Sequence, residues 1–200
     1  MHGTAGTILH KPNGTNEARG GRLAARRDHA GNNRRIVSTH AQLAGTIVRS
    51  NREIYGSVEF DAWARRAHLE PAEEFVIKTF LDPRRNSVEA GTGGGRIILA
   101  MADLGFTALH GFDFVPVLVC EARSRDARRQ LKLSAQDATR LAYGDACFDQ
   151  IIYLEQVVCL IEGRENRLRA LGEAFRILRP GGTALFSFLS YDVRSRQLPY

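Results

Sequence analysis

Val88-Glu89-Ala90-Gly91-Thr92-Gly93-Gly94-Gly95 is the stretch on which the reading of this chain turns. A short apolar run ends in an acid, enters a glycine-rich turn and is followed at once by a segment with helical spacing, near Gly95 to Leu104. Glycine is needed where the backbone takes positive φ or comes within contact distance of a ligand. A turn from strand to helix at a strand's carboxyl end is where open α/β sheets bind ligands. The spacing differs from the dinucleotide fingerprint Gly-x-Gly-x-x-Gly. Counted from Gly91 the sixth position is Arg96, and counted from Gly93 it is Ile98. There is also no Gly-Lys-Ser/Thr of a phosphate loop. A nicotinamide-dependent oxidoreductase would rest on the glycines and one later acid alone, and these counts oppose it.

That acid is Asp113, in Leu109-His110-Gly111-Phe112-Asp113, after the next apolar run and twenty-two residues beyond Gly91. A carboxylate at this place can accept from both hydroxyls of a ribose. A third acid, Asp137 in Gln136-Asp137-Ala138, follows a further run; it reads either as a ligand contact or as the start of an Asx-turn.

Around these motifs the apolar period alternates between strand and helix, the pattern of a parallel sheet wrapped by helices. The predicted strands are residues 87–90, 107–112, 131–136, 148–154 and 183–190, with helices near 95–104, 116–129 and 164–178. On the last helix Leu168, Leu171, Phe175 and Leu178 form a stripe expected to face the core. Upstream, Pro71 opens a helix whose expected apolar face holds Phe75, Val76, Thr79 and Phe80, and Asp82-Pro83 ends it. Helical spacing also appears in Leu43, Ile47 and Val48 and in Phe60, Trp63 and Ala67, with a break at Gly56. Tyr55, Phe60 and Trp63 read first as core packing, and otherwise as wall residues of a lid.

Composition narrows the function classes. The chain has 200 residues, 44% hydrophobic and 25% charged, enough for one domain with a real core. No apolar run is long enough to span a membrane. Of the net charge of +6, five units fall in residues 1–40, which hold seven Lys and Arg against two acids. The remainder is nearly neutral, which argues against a surface built to grip nucleic acid. Residues 1–40, rich in Gly, Asn and Arg, are expected to form a disordered basic tail. Cys120, Cys147 and Cys159 are odd in number with no C-x-x-C spacing, and His68 and His110 stand apart, so no disulfide framework and no metal are expected. A cytoplasmic location follows from reduced thiols and the lack of a secretory signal.

Five ordered motifs resemble those of the class I S-adenosylmethionine-dependent methyltransferases, in particular their small-molecule branch. They are Glu89-x-Gly91-x-Gly93-x-Gly95, Gly111-Phe112-Asp113-x-x-Pro116, Asp137-Ala138-x-x-Leu141, Phe148-Asp149 and Leu178-Arg179-Pro180-Gly181-Gly182, covering roughly residues 70–190. The resemblance implies a Rossmann-like, doubly wound α/β fold with a parallel sheet in the order 3-2-1-4-5. A helical N-terminal cap (41–84) would precede the cofactor-binding domain (85–200). It implies S-adenosylmethionine as cofactor, with Glu89, Gly91, Thr92, Gly93 and Gly95 at its methionine part and Asp113 at the ribose. Phe114 would lie against the adenine, Asp137 and Ala138 would contact its amino edge, and Leu154 would offer main chain near the sulfonium. A pyrophosphate would be repelled by Glu89, whereas this cofactor carries no phosphate.

The chain departs from relatives in two places. Where many carry Glu-x-x-Glu-His after the fourth strand, this one reads Glu155-Gln156-Val157-Val158-Cys159, so no general base is evident and the catalytic residues stay unassigned. Only ten residues follow Ser190, where relatives add a helix and a two-strand hairpin. The fifth strand is then an edge to be covered by a second copy in a homodimer or by the N-terminal segment. The acceptor is expected to be a small molecule or a protein; a homologue that binds cofactor without turnover is the alternative. Neither Asn/Asp-Pro-Pro-Tyr nor a Pro-Cys nucleophile is present, which disfavours nucleobase substrates.

Overall fold

The structure is a computed structural model that describes residues 4–11 and 50–189. A six-stranded sheet carries the fold, with strands β1 (Thr4–His10), β2 (Ser87–Ala90), β3 (Leu109–Asp113), β4 (Lys132–Ala135), β5 (Phe148–Tyr153) and β6 (Leu178–Leu189). Their order across the sheet is β1-β6-β5-β2-β3-β4. β2 to β6 pair in parallel, and β1 runs antiparallel against β6.

The inner strands are apolar on both faces, as a parallel sheet covered by helices requires. Along β5, Ile151 and Tyr153 enter one core cluster with Phe112, Ala174 and Phe186, while Ile152 and the following Leu154 enter another with Ile98, Met101 and Val119. That alternation is the period of two expected of a strand. The helices are α1 (Asn51–Glu53), α2 (Phe60–Ala64), α3 (Pro71–Phe80), α4 (Arg96–Asp103), α5 (Pro116–Arg125), α6 (Val157–Leu160) and α7 (Arg164–Ile177). Between α1 and α2, over Gly56, the chain does not break but winds one π-helical turn, Ile54–Val58, closed by the Glu59 N–H on the Ile54 carbonyl. Ser50 and Glu53 form a capping box at the start of α1, and Glu70 with Glu73 form another at α3, where Pro71 takes the first helical position. Among the described residues no helix is long and apolar enough to cross a membrane.

Three expectations are corrected. On α7, Leu168 is 51% and Phe175 55% exposed, and the helix instead buries Ala170, Ala174 and Ile177. Alanine lets a helix backbone approach the sheet closely, so the smaller residues occupy the contact face. On α3, Phe75 and Phe80 are exposed and Ile77 is the fully buried side chain. Third, Thr4–His10 lies within the segment expected to be a disordered tail, yet it is a strand; the bare edge of β6 supplies ladder partners that local composition does not reveal. The expected helix through Leu43, Ile47 and Val48 and the rest of the tail lie outside the described residues, as does Ser190.

Before its ladder resumes at Thr183, β6 bulges through Pro180-Gly181-Gly182, where pairing jumps from Phe148↔Leu178 to Gln150↔Thr183. Gly181 has φ 76°, and a Cβ on Gly182 would stand 2.8 Å from the Asp149 carbonyl oxygen. The turn expected from Arg179 to Gly182 is thus a bulged part of the strand itself, which begins at Leu178 rather than Thr183.

Candidate functional site

The site gathers at the carboxyl ends of β2, β3, β4 and β5. At the end of β2, Gly91, Gly93 and Gly95 take φ of 67°, 54° and 88°, in the left-handed region that side chains disfavour. Gly94 is required for a different reason, since a Cβ there would run into the backbone of Ala64 in α2. The Gly94 N–H donates to the Trp63 carbonyl at 3.2 Å, so the glycine turn and the N-terminal cap are packed backbone to backbone. Arg125 adds to this by donating to the carbonyls of Ala64, Gly94 and Arg66.

Asp113 ends β3 and binds the turn directly. Its Oδ2 accepts the Gly93 N–H at 2.8 Å and its Oδ1 accepts the Val115 N–H at 2.9 Å. Burial raises its pKa while those backbone donors oppose the rise. The Thr92 N–H donates to the Phe112 carbonyl at 3.1 Å, completing the link between the two strand ends. Glu89, 3% exposed, has an Oε2 with no hydrogen-bond partner among the described residues. Burial pushes its pKa up to about 8, against the pull of Arg96.

These groups border a cavity of about 380 Å³. Of the expected site residues, Gly91, Gly93, Asp113, Phe114, Asp137 and Ala138 line it. Thr92 and Gly95 form the inside of the turn, Glu89 lies buried beside it, and the Leu154 side chain belongs to the core, so that Glu155 stands on the wall in its place. Phe114 is 40% exposed, a free aromatic face at the rim. Asp137 accepts from both the backbone N–H and the hydroxyl of Thr139 at 2.8 Å, an Asx-turn at the cavity edge.

Tyr55 and Trp63 form one wall, ring centroids 5.9 Å apart at 82°, and Phe60 packs behind them against Ala64, Val115 and Leu118. Burial, then the charges of Glu59 and Asp113, raises the pKa of the Tyr55 hydroxyl. Asn51 Nδ2 donates to the Leu160 carbonyl at 2.7 Å, joining α1 to α6 across the opening.

Sequence reasoning missed the ion cluster beneath this wall. Arg96 donates to Glu73 twice and to Glu155 Oε1 at 2.5 Å, and its Nη1 also donates to the His68 carbonyl. Arg66 reaches Glu155 Oε2 at 3.3 Å while lying over the Trp63 ring. Burial and Glu73 raise the pKa of Glu155, against Arg96 and Arg66. The only local sign of this cluster was an arginine directly after the glycines. Among the described residues no group of three or more His, Cys, Asp or Glu is arranged for a metal ion, and Cys120, Cys147 and Cys159 are unpaired.

Comparison with known proteins identifies the constellation. A family described as "Methyltransferase domain" matches residues 88–186, from β2 to β6. Phosphoethanolamine N-methyltransferase 1 of Zea mays is 26% identical over 150 residues, 74% of this chain and 28% of that protein. The eEF1A lysine and N-terminal methyltransferase of Bos taurus is 23% identical over 117 residues, 55% of this chain and 17% of that protein. The chain thus spans less than a third of the length of either relative. A solved structure from Methanococcus maripaludis, assigned as an S-adenosyl-L-methionine-dependent methyltransferase, superposes with a TM-score of 0.50 at 20% identity, over 66% of this chain and 58% of that one. With a mostly parallel α/β sheet, a glycine turn tied to Asp113 and this match from β2 to β6, residues 88–186 form a methyltransferase domain, consistent with the class I S-adenosylmethionine-dependent methyltransferases.

Proposed function

We propose that the chain moves the methyl group of S-adenosylmethionine onto a small-molecule acceptor held at the open end of the 380 Å³ cavity. The observation that carries this reading is the hydrogen bond from the Gly93 N–H to Asp113, which sets the turn and the ribose-accepting carboxylate as one rigid unit on the cavity rim. The cofactor fits the residues present. Glu89 has a buried carboxyl oxygen without a partner among the described residues, which the ammonium of a methionine moiety would answer.

In this reading Glu89, Gly91, Thr92, Gly93 and Gly95 hold the methionine end and Asp113 accepts from the ribose. Phe114 stacks on the adenine, and Asp137 with Ala138 borders its amino edge. Leu154 contributes main chain beside the sulfur. When bound, the cofactor supplies an electrophilic methyl group on a sulfonium. The protein's part is positioning, which can supply about 7–11 kcal/mol of a barrier, and no covalent enzyme intermediate is required. A small acceptor rather than a polymer is favoured by the Asn51 to Leu160 bridge across the opening. The nearly neutral body and unpaired cysteines support a cytoplasmic protein without a nucleic-acid partner.

The test is calorimetric titration with S-adenosylhomocysteine. Micromolar binding, about −8 kcal/mol, is expected, with no response to NADH. Asp113→Ala removes a charged acceptor for two hydroxyls, each worth about 1.5–3 kcal/mol, and should weaken binding by at least about a hundredfold. No binding by folded protein would overturn the reading. Binding without methyl transfer to any acceptor would favour the alternative, a cofactor-binding homologue without turnover.

A further inference from the structure

We infer that Arg125 is a positioning residue for the cofactor: its guanidinium sets the glycine turn and the aromatic wall of the cavity as one unit, so that binding at the turn is transmitted to Tyr55 and Trp63. The inference rests on the cofactor reading of the cavity and adds to it a residue that is not among the described lining residues.

The turn gives the first reason. Gly93, Gly94 and Gly95 follow one another, and a glycine peptide can turn over at little steric cost, so contacts from outside the turn must choose the directions of its carbonyls. Of the two peptide groups flanking Gly94, one is held by the Gly94 N–H on the Trp63 carbonyl at 3.2 Å. The other is held at both ends: the Gly95 N–H donates to the Thr92 carbonyl at 2.9 Å, and the Gly94 carbonyl accepts from Arg125 Nη1 at 2.7 Å. The left-handed φ of 54° at Gly93 and 88° at Gly95 goes with these directions.

The helix that carries Arg125 gives the second. α5 ends at Arg125, and three residues earlier Ala122 is fully buried, its Cβ 3.1 Å from the place a Cβ on Gly95 would take. Glycine at 95 lets α5 close on the turn, and the spacing of three puts Arg125 on the same side of the helix as Ala122.

The third reason is what else the guanidinium holds. The same Nη1 donates to the Ala64 carbonyl at 2.7 Å, and Nη2 donates to the Arg66 carbonyl at 2.9 Å. Ala64 is the last residue of α2, whose final carbonyls lack partners within the helix and are well served by a cation. α2 also carries Trp63, which meets Tyr55 edge to face on the cavity wall. One planar group with its donors in a fixed fork therefore joins the turn to the helix end behind the wall, a span that the single ammonium of lysine does not reproduce. A turn held in its binding conformation before the ligand arrives need not be ordered on binding, and a coupling that runs from wall to turn must also run from turn to wall.

The experiment titrates S-adenosylhomocysteine into the full chain and three variants by calorimetry, at a temperature where circular dichroism shows each to be folded. Arg125→Ala should weaken binding about tenfold or more. Arg125→Lys, which keeps the charge, should weaken it about threefold to tenfold. Arg123→Ala removes the neighbouring arginine of α5, which donates to the Leu133 carbonyl, and should leave binding unchanged. Hydrogen exchange separates positioning from plain stability. In the natural chain, saturation with S-adenosylhomocysteine should slow exchange of the Trp63 and Arg65 N–H groups, which donate to the Glu59 and Asp61 carbonyls in and around α2. In saturated Arg125→Ala that added protection should be absent. Unchanged affinity in the Arg125 variants, an equal loss in Arg123→Ala, or α2 protection that persists without the guanidinium would overturn the inference while leaving cofactor binding intact. Should Arg125→Ala not fold, the lysine variant decides, natural affinity there overturning the inference. Failure of the natural chain to bind S-adenosylhomocysteine at all would overturn the cofactor reading itself, and this inference with it.

Discussion

Arg96 meets Glu73 through two nitrogens, Nη1 to Oε2 at 2.5 Å and Nη2 to Oε1 at 2.7 Å, with 7% of one side chain and 12% of the other exposed. One residue opens α4 beneath the glycine turn and the other sits in the first turn of α3, so this pair fastens α3 to the start of α4. Through the same Nη2, Arg96 also holds Glu155 on the cavity wall.

Breaking such a pair leaves a buried charge without its partner, which costs about 3–5 kcal/mol. Arg96→Ala should therefore lose about that much stability in urea denaturation. Glu73→Gln, which keeps the shape and one acceptor, should lose less, about 1–3 kcal/mol. Losses below about 1 kcal/mol in both variants would mean that the pair is effectively solvated.

Glu89 gives the molecule a pH dependence of definite sign. Its pKa is raised from 4.5 to about 8, chiefly by burial. The folded chain therefore holds a proton there that the unfolded chain has released, and the associated stability is complete below about pH 4.5. It falls as pH rises towards 8, by up to about 1.4 kcal/mol per unit. Relative to Glu89→Gln, the natural chain should lose stability steadily from pH 5 to pH 8. An ammonium docking on Glu89 should also displace that proton. Titrating S-adenosylhomocysteine at pH 7 in buffers of different ionisation enthalpy should show proton release, absent in Glu89→Gln. A flat difference between the two proteins across this range would contradict the assignment.

How much of this was legible in the sequence depends on how local the cause was. β2, β3, β5 and β6 announce themselves because a strand buried on both faces is largely an apolar run, whereas the edge strand β4 buries only Leu133; Gly91 to Gly95 and Asp113 sit at fixed places after such runs. The acid and the turn were readable; the hydrogen bond between Asp113 and Gly93 that unites them was not. Phe175 and Leu168 misled because large apolar residues at helical spacing outweigh Ala170 and Ala174 in any reading by hydrophobicity, although the alanines make the closer contact. The pairing of β1 with β6 and the meeting of Arg66, Glu73, Arg96 and Glu155 join segments far apart in the chain, and no local period encodes them.

Two glycine substitutions should move stability in opposite directions. Gly172 lies inside α7 with nothing within 4 Å of the place a Cβ would take, and its φ is not in the left-handed region. Gly172→Ala should gain about 0.5–1 kcal/mol from helix propensity and a less flexible unfolded chain. Gly94→Ala would drive a methyl group into the Ala64 backbone and should cost about 1–3 kcal/mol while weakening S-adenosylhomocysteine binding. Thermal and urea unfolding of both variants give the signs directly; a stabilising Gly94→Ala would mean that the cap does not rest on the turn.

The last strand pairing carries a prediction about association. β1 covers β6 from Leu189↔Thr4 to Thr183↔His10, and Lys11 continues it by donating from Nζ to the carbonyls of Phe175 at 2.9 Å and Leu178 at 2.7 Å. That ammonium also lies 4.6 Å from the Phe175 ring centroid, shielding an aromatic side chain that the helix does not bury. A cation on the last carbonyls of a helix is favoured by the helix dipole, so Lys11→Met should cost roughly 0.3–1 kcal/mol. Removing residues 1–11 does more, because it strips β6 of its ladder partners and presents a long apolar edge, a ready template for another chain. Light scattering after size exclusion should show the shortened chain shifting to dimers and larger species as concentration rises, while the full chain does not. A shortened chain that stays monomeric and melts at the same temperature would show that β1 does not cover this edge in solution.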